Sequence, residues 1–348
     1  MKTMQNGILP LIIIFVTIYL SGCTKKNQFS LNQEKTLNSL TKINDYPFYT
    51  LKYCGDYGFR ELLNTGQWPS FFRYEPADNS YRCTCVAAMG SDTCKRFGRN
   101  FDNKTRSALL LFTDPPDGYA SVSMIWMKEM GYTETNTPDI TGKNFNLLSA
   151  PYFCQDGMNE KGVAIGIMSV NSVFPPYDPA KIGLYSSQIV RLTLDYASTL
   201  DEAITLMNGY NVSFEYGSPV HFLIADKSGA SAIIEFIDND IKVIRNTEKW
   251  QVCTNFIIYG TDAPENVSCW RYNTAYSALK ECNGNVSADK TMDIMKLVSQ
   301  GGTYKTMWSI VYDFNTLKTA VVTDRDYSKK YIFSLDNHQS YIIKESDY

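Results

Sequence analysis

Histidine is almost missing from this chain. Among 348 residues only His221 and His338 occur, and no two histidines stand at the spacing of a zinc site. A Ser-His-Asp or Cys-His arrangement would have to use one of these two. His221 opens the apolar run His221-Phe222-Leu223-Ile224 and reads as a strand-end or core histidine. His338 lies in the polar segment Asp336-Asn337-His338-Gln339 and reads as a solvated loop. A basic stripe is also lacking: 33 Lys and Arg stand against 36 Asp and Glu, for a net charge of -3, which excludes nucleic acid as the expected partner. There is no Cys-x-x-Cys pair, no internal repeat and no low-complexity tract. No metal or other cofactor is expected.

What is present is aromatic and exported in character. The 24 Tyr and 18 Phe exclude a disordered chain. At the N-terminus Lys2 precedes an apolar stretch, Ile8 to Leu20, of signal-peptide length and short for a spanning helix. It ends in Leu20-Ser21-Gly22-Cys23, which resembles a bacterial lipobox. That resemblance implies a signal peptide over 1–22, a lipid on Cys23, and a protein held at the bacterial cell envelope, outside the cytoplasm. Export bears on the other cysteines. Setting aside Cys23 and Cys83, the remaining Cys54, Cys85, Cys94, Cys154, Cys253, Cys269 and Cys282 are odd in number, so at least one stays unpaired, and their pairing is left open. The Asn-x-Ser/Thr sites at Asn103, Asn211, Asn266 and Asn285 carry no glycan in a bacterial context.

Residues 24–45 are polar and read as a flexible tether. From Tyr46 to Arg82 the chain turns aromatic, and this segment is expected to pack on the main body. Strand signals follow from Cys83. Gly162 to Val170 is an apolar run, His221 to Val243 a meander with turns at Asp226-Lys227-Ser228-Gly229 and Asp238-Asn239-Asp240, and Trp308 to Thr323 a hairpin about Asn315-Thr316. Helices are expected over Ser187–Ala197, Leu200–Met207, Tyr272–Lys280 and Ala288–Leu297. Thr199 and Glu202 form a capping box for the second, and Ser287 is the N-cap of the last. Strand runs flanking helical runs give an α+β layered domain.

The chemistry gathers at Cys83-Thr84-Cys85 and Gly98-Arg99-Asn100-Phe101-Asp102. If Cys83 begins one strand of a hairpin and Arg99 lies on the other, a guanidinium and a carboxylate fold back beside a thiol. A general base is missing from this set. The α-amine of an N-terminal residue serves when no imidazole is at hand, and that requires a cut between Arg82 and Cys83.

The spacing Cys83-Thr84, Arg99 and Asp102, with the block Phe97-Gly98-Arg99-Asn100-Phe101-Asp102, resembles the choloylglycine hydrolase, or linear amide C–N hydrolase, family. Its members include bile salt hydrolases, penicillin V acylases and acid-ceramidase-like relatives. Asp156-Gly157-Met158-Asn159-Glu160-Lys161-Gly162, Thr254-Asn255, Trp270-Arg271-Tyr272 and Trp308 to Asp313 resemble the family's later motifs in order. The resemblance implies an αββα four-layer sandwich of the N-terminal-nucleophile type. It implies Cys83 as nucleophile and, through its amine, as base. Arg99 would stabilise the thiolate, Asp102 would orient the amine, Asn255 would donate to the oxyanion, and Arg271 would support the site. The second oxyanion position falls at Ser169, with Asn171 nearby. The domain division implied is a signal peptide at 1–22, an anchored tether and prosegment at 23–82, and a catalytic domain at 83–348. The substrate implied is a small N-acyl amide. The rival readings are an acyltransferase of the same fold and an inactive lipid-anchored binding protein.

Overall fold

A computed structural model describes residues 29–75, 82–140, 144–171, 173–214, 218–261, 268–335 and 344–347. The signal peptide, Cys23, Asn266 and His338 lie outside the described residues. The chain opens with helix α1 (Leu31–Asn38), strands β1 (Thr41–Asn44) and β2 (Phe48–Lys52), and helix α2 (Phe59–Thr65). The hairpin β3 (Arg82–Ser91) and β4 (Cys94–Asn103) follows, then β5 (Ala108–Thr113), β6 (Ser121–Trp126), β7 (Cys154–Asn159) and β8 (Val163–Ser169). A short β9 (Gly183–Tyr185) leads to α3 (Ser186–Tyr196), α4 (Leu200–Asn208) and β10 (Asn211–Ser213). The meander β11 (Val220–Asp226), β12 (Ser231–Ile237) and β13 (Asp240–Arg245) comes next. Last are β14 (Trp250–Cys253), α5 (Trp270–Glu281), α6 (Ala288–Leu297), β15 (Lys305–Asp313), β16 (Lys318–Thr323), β17 (Lys329–Ser334) and β18 (Lys344–Asp347).

Two sheets face each other. One has nine strands in the order β1-β2-β5-β6-β7-β8-β11-β12-β13, and the other seven in the order β14-β3-β4-β15-β16-β17-β18. Helix α3 packs on β7 and β8, and α5 and α6 pack on β14, β4 and β15, which makes the αββα sandwich. The main apolar core fills the space between the sheets, and a second cluster seals the seven-stranded sheet against α5 and α6. The expected helices and hairpins are where the sequence places them. Ser287 caps α6 through Lys290 N–H at 3.1 Å. Thr199 Oγ1 accepts Glu202 N–H at 3.2 Å, but the Glu202 carboxylate turns to Ser198 N–H at 2.7 Å, so the box closes one residue early.

The flexible tether over 24–45 needs correction from residue 29 onward. Ser30 and Gln33 form a reciprocal capping box, with Ser30 N–H to Gln33 Oε1 at 2.9 Å and Gln33 N–H to Ser30 Oγ at 3.2 Å, and this starts α1. Thr36 Oγ1 then accepts Cys54 N–H at 2.9 Å, tying the helix to the chain beyond β2. Strand β2 pairs in parallel with β5, from Phe48 opposite Ala108 to Lys52 opposite Phe112, and β1 adds the edge. The segment before residue 83 is therefore part of the larger sheet. Its aromatic stretch packs as expected: Phe48, Tyr49, Leu51, Tyr57, Phe59 and Leu62 are all buried. Each such apolar side chain contributes roughly 1.5–3 kcal/mol of burial, set against the entropy lost in ordering the segment. Tyr57 also donates to Asp195 Oδ2 of α3 at 2.6 Å, and Arg60 bridges to Asp117 at 2.7 Å.

One buried carboxyl makes stability depend on pH. Glu129 accepts from Gln155 Nε2 at 3.0 Å, while Gln155 Oε1 is buried without a partner. Burial pushes the Glu129 carboxyl up to about 8, only partly offset by Gln155. A raised folded pKa means that the folded state holds the proton more tightly than the unfolded chain. The stabilisation is complete below the ordinary value of 4.5 and is lost as pH rises through about 8. Glu129→Gln removes the titration and supplies an amide that can donate to Gln155 Oε1. Thermal melts should show the variant gaining on the parent at pH 8 and not at pH 4.5; an equal effect at both would contradict the assignment.

Candidate active site

Cys83 is the second residue of β3 and is fully buried. Antiparallel pairing sets Cys83 opposite Phe101, Cys85 opposite Arg99, and Arg82 opposite Asp102. Directly opposed residues share a face. Cys83, Cys85, Arg99 and Phe101 therefore point between the sheets, while Thr84, Asn100 and Asp102 point toward α5 and α6. The backbone of β3 thus separates a thiol side from a carboxylate side.

On the thiol side, Arg99 is fixed from several directions. Its Nη2 donates to Cys83 Sγ at 3.3 Å and to the Ile167 carbonyl at 2.7 Å, and its Nη1 forms an ion pair with Asp156. Tyr312 Oη donates to the other Asp156 oxygen at 2.5 Å. Strand β8 comes close enough here that a Cβ on Gly166 would lie 2.9 Å from Cys85 Sγ, so glycine is required by the close approach. Burial pushes the Cys83 thiol up to about 11, with Arg99 pulling the other way. The thiol is thus protonated near neutrality, and a thiolate is the form that attacks.

On the carboxylate side, Asp102 accepts Thr306 Oγ1 at 2.6 Å and Gln300 Nε2, and Arg271 Nη1 is 3.8 Å away. A bulge in β15 between Thr306 and Trp308 places that threonine opposite Asp102. Burial lifts the Asp102 carboxyl to about 6, moderated by Thr306, Arg271 and Gln300. Arg271, in the first turn of α5, donates to the Cys83 carbonyl, to Thr84 Oγ1 at 3.0 Å and to Asn255 Oδ1 at 2.9 Å.

Asn255 lies just past β14. Its Oδ1 accepts Cys83 N–H at 2.7 Å and its Nδ2 donates to the Ser169 carbonyl at 2.8 Å. Cys83, Arg99, Asp102, Asn255 and Arg271 are thus one cluster. Ser169 joins it through its carbonyl, and its hydroxyl is buried with no hydrogen-bond partner. Asn171 is exposed beyond the end of β8. Arg82 is exposed, its guanidinium 5.2 Å from the Tyr304 ring centre. Asn159 does what its turn requires: Oδ1 accepts Lys161 and Val163 N–H, and Nδ2 donates to Leu194 and Ala197. Sequence reasoning missed Asp156, Thr306 and Gln300 as partners. For Asp156 a signal existed, since it opens a matched motif, but nothing in the sequence pairs it with Arg99. Among the described residues no cluster of His, Cys, Asp or Glu is arranged to hold a metal ion.

The sequence model of linear amide C–N hydrolases, choloylglycine hydrolase family, matches residues 83–284, more than half of the chain, and the match begins at Cys83. The chain belongs to this family. Penicillin V acylase of Pectobacterium atrosepticum is 33% identical over 111 residues, which span 29% of this chain and 29% of that protein. The structure of penicillin V acylase from Agrobacterium tumefaciens superposes with a TM-score of 0.55 at 17% identity, over 74% of this chain and 89% of that one. A variant of conjugated bile acid hydrolase from Clostridium perfringens superposes at 0.54 and 13% identity, over 76% and 98%. These two likenesses bear out the αββα sandwich of the N-terminal-nucleophile hydrolases.

The described cysteines are all free thiols. In this family member, exposure sorts them. Iodoacetamide at pH 8 should label the half-buried Cys54, Cys94, Cys269 and Cys282 and spare the buried Cys83, Cys85, Cys154 and Cys253. Peptide mass mapping reads this directly, and fast labelling of Cys83 in the intact chain would refute the burial argument.

Proposed function

We propose that this chain hydrolyses a linear amide bond of a small N-acyl substrate, with Cys83 as the N-terminal nucleophile after a cut between Arg82 and Cys83. The observation that carries the reading is the convergence on one residue. Arg99 lies on the sulfur, Asn255 on the backbone nitrogen and Arg271 on the backbone carbonyl. The family match, beginning at Cys83, supports the same residue as the start of the working chain.

In the self-cut, Cys83 Sγ attacks the Arg82 carbonyl carbon while its proton passes to the Cys83 nitrogen, whose bond to that carbon breaks. The acyl group moves from nitrogen to sulfur, and water hydrolyses the thioester to leave an Arg82 carboxylate and a free Cys83 amine. That amine has a reference pKa of roughly 7.7–8.0, suited to a general base near neutrality. Asp102 lies at the same end of the hairpin and orients it. In turnover the thiol proton passes to the amine as sulfur attacks the substrate carbonyl. Asn255 Nδ2 donates to the developing oxyanion, with the Ser169 position as the second donor. The resulting ammonium protonates the departing amine, leaving a thioester. Water then hydrolyses it, its proton passing to the Cys83 amine, and releases the carboxylic acid.

The lipid anchor on Cys23 belongs to this proposal. It rests on the sequence Leu20-Ser21-Gly22-Cys23 and places the enzyme at the bacterial envelope. After the cut, strands β1 and β2 hold the anchored piece to the catalytic chain by sheet pairing and buried aromatics. Membranes washed in high salt and reductant should therefore retain both pieces. Release of the larger piece alone would refute the docked arrangement.

Intact-mass measurement of the purified protein should find a chain beginning at Cys83, and Cys83→Ala should abolish both the cut and hydrolysis. A panel of penicillin V, conjugated bile acids, N-acyl amino acids and acyl-homoserine lactones identifies the substrate class. Turnover with Cys83→Ala would overturn the reading. Preferential transfer to an added amine would make the chain an acyltransferase.

A further inference from the structure

The loop that carries Asn255 is fastened on both sides of that residue by one buried pair. His221 of β11 and Glu235 of β12 stand one step beyond the Phe222–Ile234 register pair, and both are fully buried. His221 Nε2 donates to the Thr254 carbonyl at 2.6 Å, and Nδ1 lies 2.8 Å from Glu235 Oε1. Glu235 accepts Ile258 N–H at Oε1 and Tyr259 N–H at Oε2, each at 2.8 Å. Cys253 Sγ also lies 3.2 Å from Nε2. The two side chains thus hold residue 254 and residues 258–259, with Asn255 between.

Core filling does not account for this pair. Burying an imidazole and a carboxylate is unfavourable compared with apolar residues of similar volume. The ladder between β11 and β12 uses backbone groups and needs neither side chain. Their backbone partners are all on the Asn255 loop. A donor to an oxyanion works only when its position is fixed beforehand.

We propose that His221 and Glu235 are positioning residues for acyl transfer, holding Asn255 so that its amide nitrogen meets the oxyanion. The inference rests on the reading of Cys83 as nucleophile and Asn255 as oxyanion donor.

The probe is p-nitrophenyl butyrate, an activated acyl ester that acylates a reactive cysteine whatever the native amine. The burst of p-nitrophenolate counts working sites, and the later steady rate per site reports hydrolysis of the thioester. His221→Gln and Glu235→Gln should each lower the steady rate per site by about 10–100-fold, as displacement by an ångström does, with KM nearly unchanged. Glu235→Asp should recover part of the loss. The double variant His221→Gln with Asn255→Ala should be no slower than Asn255→Ala alone, because both changes act through one group. Normal turnover per site in the folded single variants, or losses that multiply in the double variant, would overturn the inference. So would failure of His221→Gln, Glu235→Gln and Glu235→Asp to fold while Asn255→Ala folds, since the pair would then serve stability alone. An absent burst in the unsubstituted enzyme, or one surviving in Cys83→Ala, would instead overturn the nucleophile reading.

Discussion

The buried ion pair between Arg99 and Asp156 crosses the gap between the two sheets, and the site depends on it. Arg99 comes from β4 of the seven-stranded sheet and Asp156 from β7 of the nine-stranded one. A guanidinium in this space is tolerable only when its donors are used. They go to a carboxylate, a carbonyl and a thiol, although Nε remains without a partner. Removing one member of such a pair typically costs about 3–5 kcal/mol, because the other charge is left uncompensated. The pair therefore fixes both the separation of the sheets at this point and the direction of the cation that faces Cys83. Tyr312 completes it by taking the second Asp156 oxygen.

A second constraint is the continuity of the larger sheet through the segment before residue 83. β2 lies parallel to β5, and parallel neighbours need a crossover, here the chain that runs through α2 and the β3–β4 hairpin. The proposed cut falls within that crossover. Opening a connection while both of its strands remain paired leaves the sheet intact, because the ladder and the packed aromatics do not pass through the broken bond. On the proposed cut, one chain could thus hold a buried cysteine and still deliver it as a terminus.

Much of this was legible in the sequence. The turns at 226–229 and 238–240, the hairpin about Asn315 and the four central helices follow from period and turn chemistry. The ordered motifs named the cluster of Cys83, Arg99, Asp102, Asn255 and Arg271. What stayed hidden was pairing across the sandwich. Nothing in period or composition places Asp156 against Arg99, or Thr306 and Gln300 against Asp102, since these contacts join elements far apart in the chain. His221 read as a core histidine, and it is one by burial. Its link to Thr254 becomes visible only when β11 and the loop after β14 are seen together. The tether differs for another reason: the Ser30–Gln33 capping box is a local helix-start signal, and the polar composition around it hides it.

The orientation of the Asn255 amide follows from the donors around it. Oδ1 receives two, the Cys83 N–H and Arg271 Nη2, and neither group can accept. The end facing Cys83 must therefore be the oxygen, and the amide nitrogen must face the Ser169 carbonyl. Cutting before Cys83 replaces one N–H by an amine, which still donates, so the oxygen keeps both partners and the amide does not turn over. The nitrogen is then the end left for the proposed oxyanion, next to Ser169, whose carbonyl accepts from it and whose hydroxyl has no partner. Arg271 fixes this asymmetry in both states, because it reads the Cys83 carbonyl and the Asn255 oxygen from the same guanidinium.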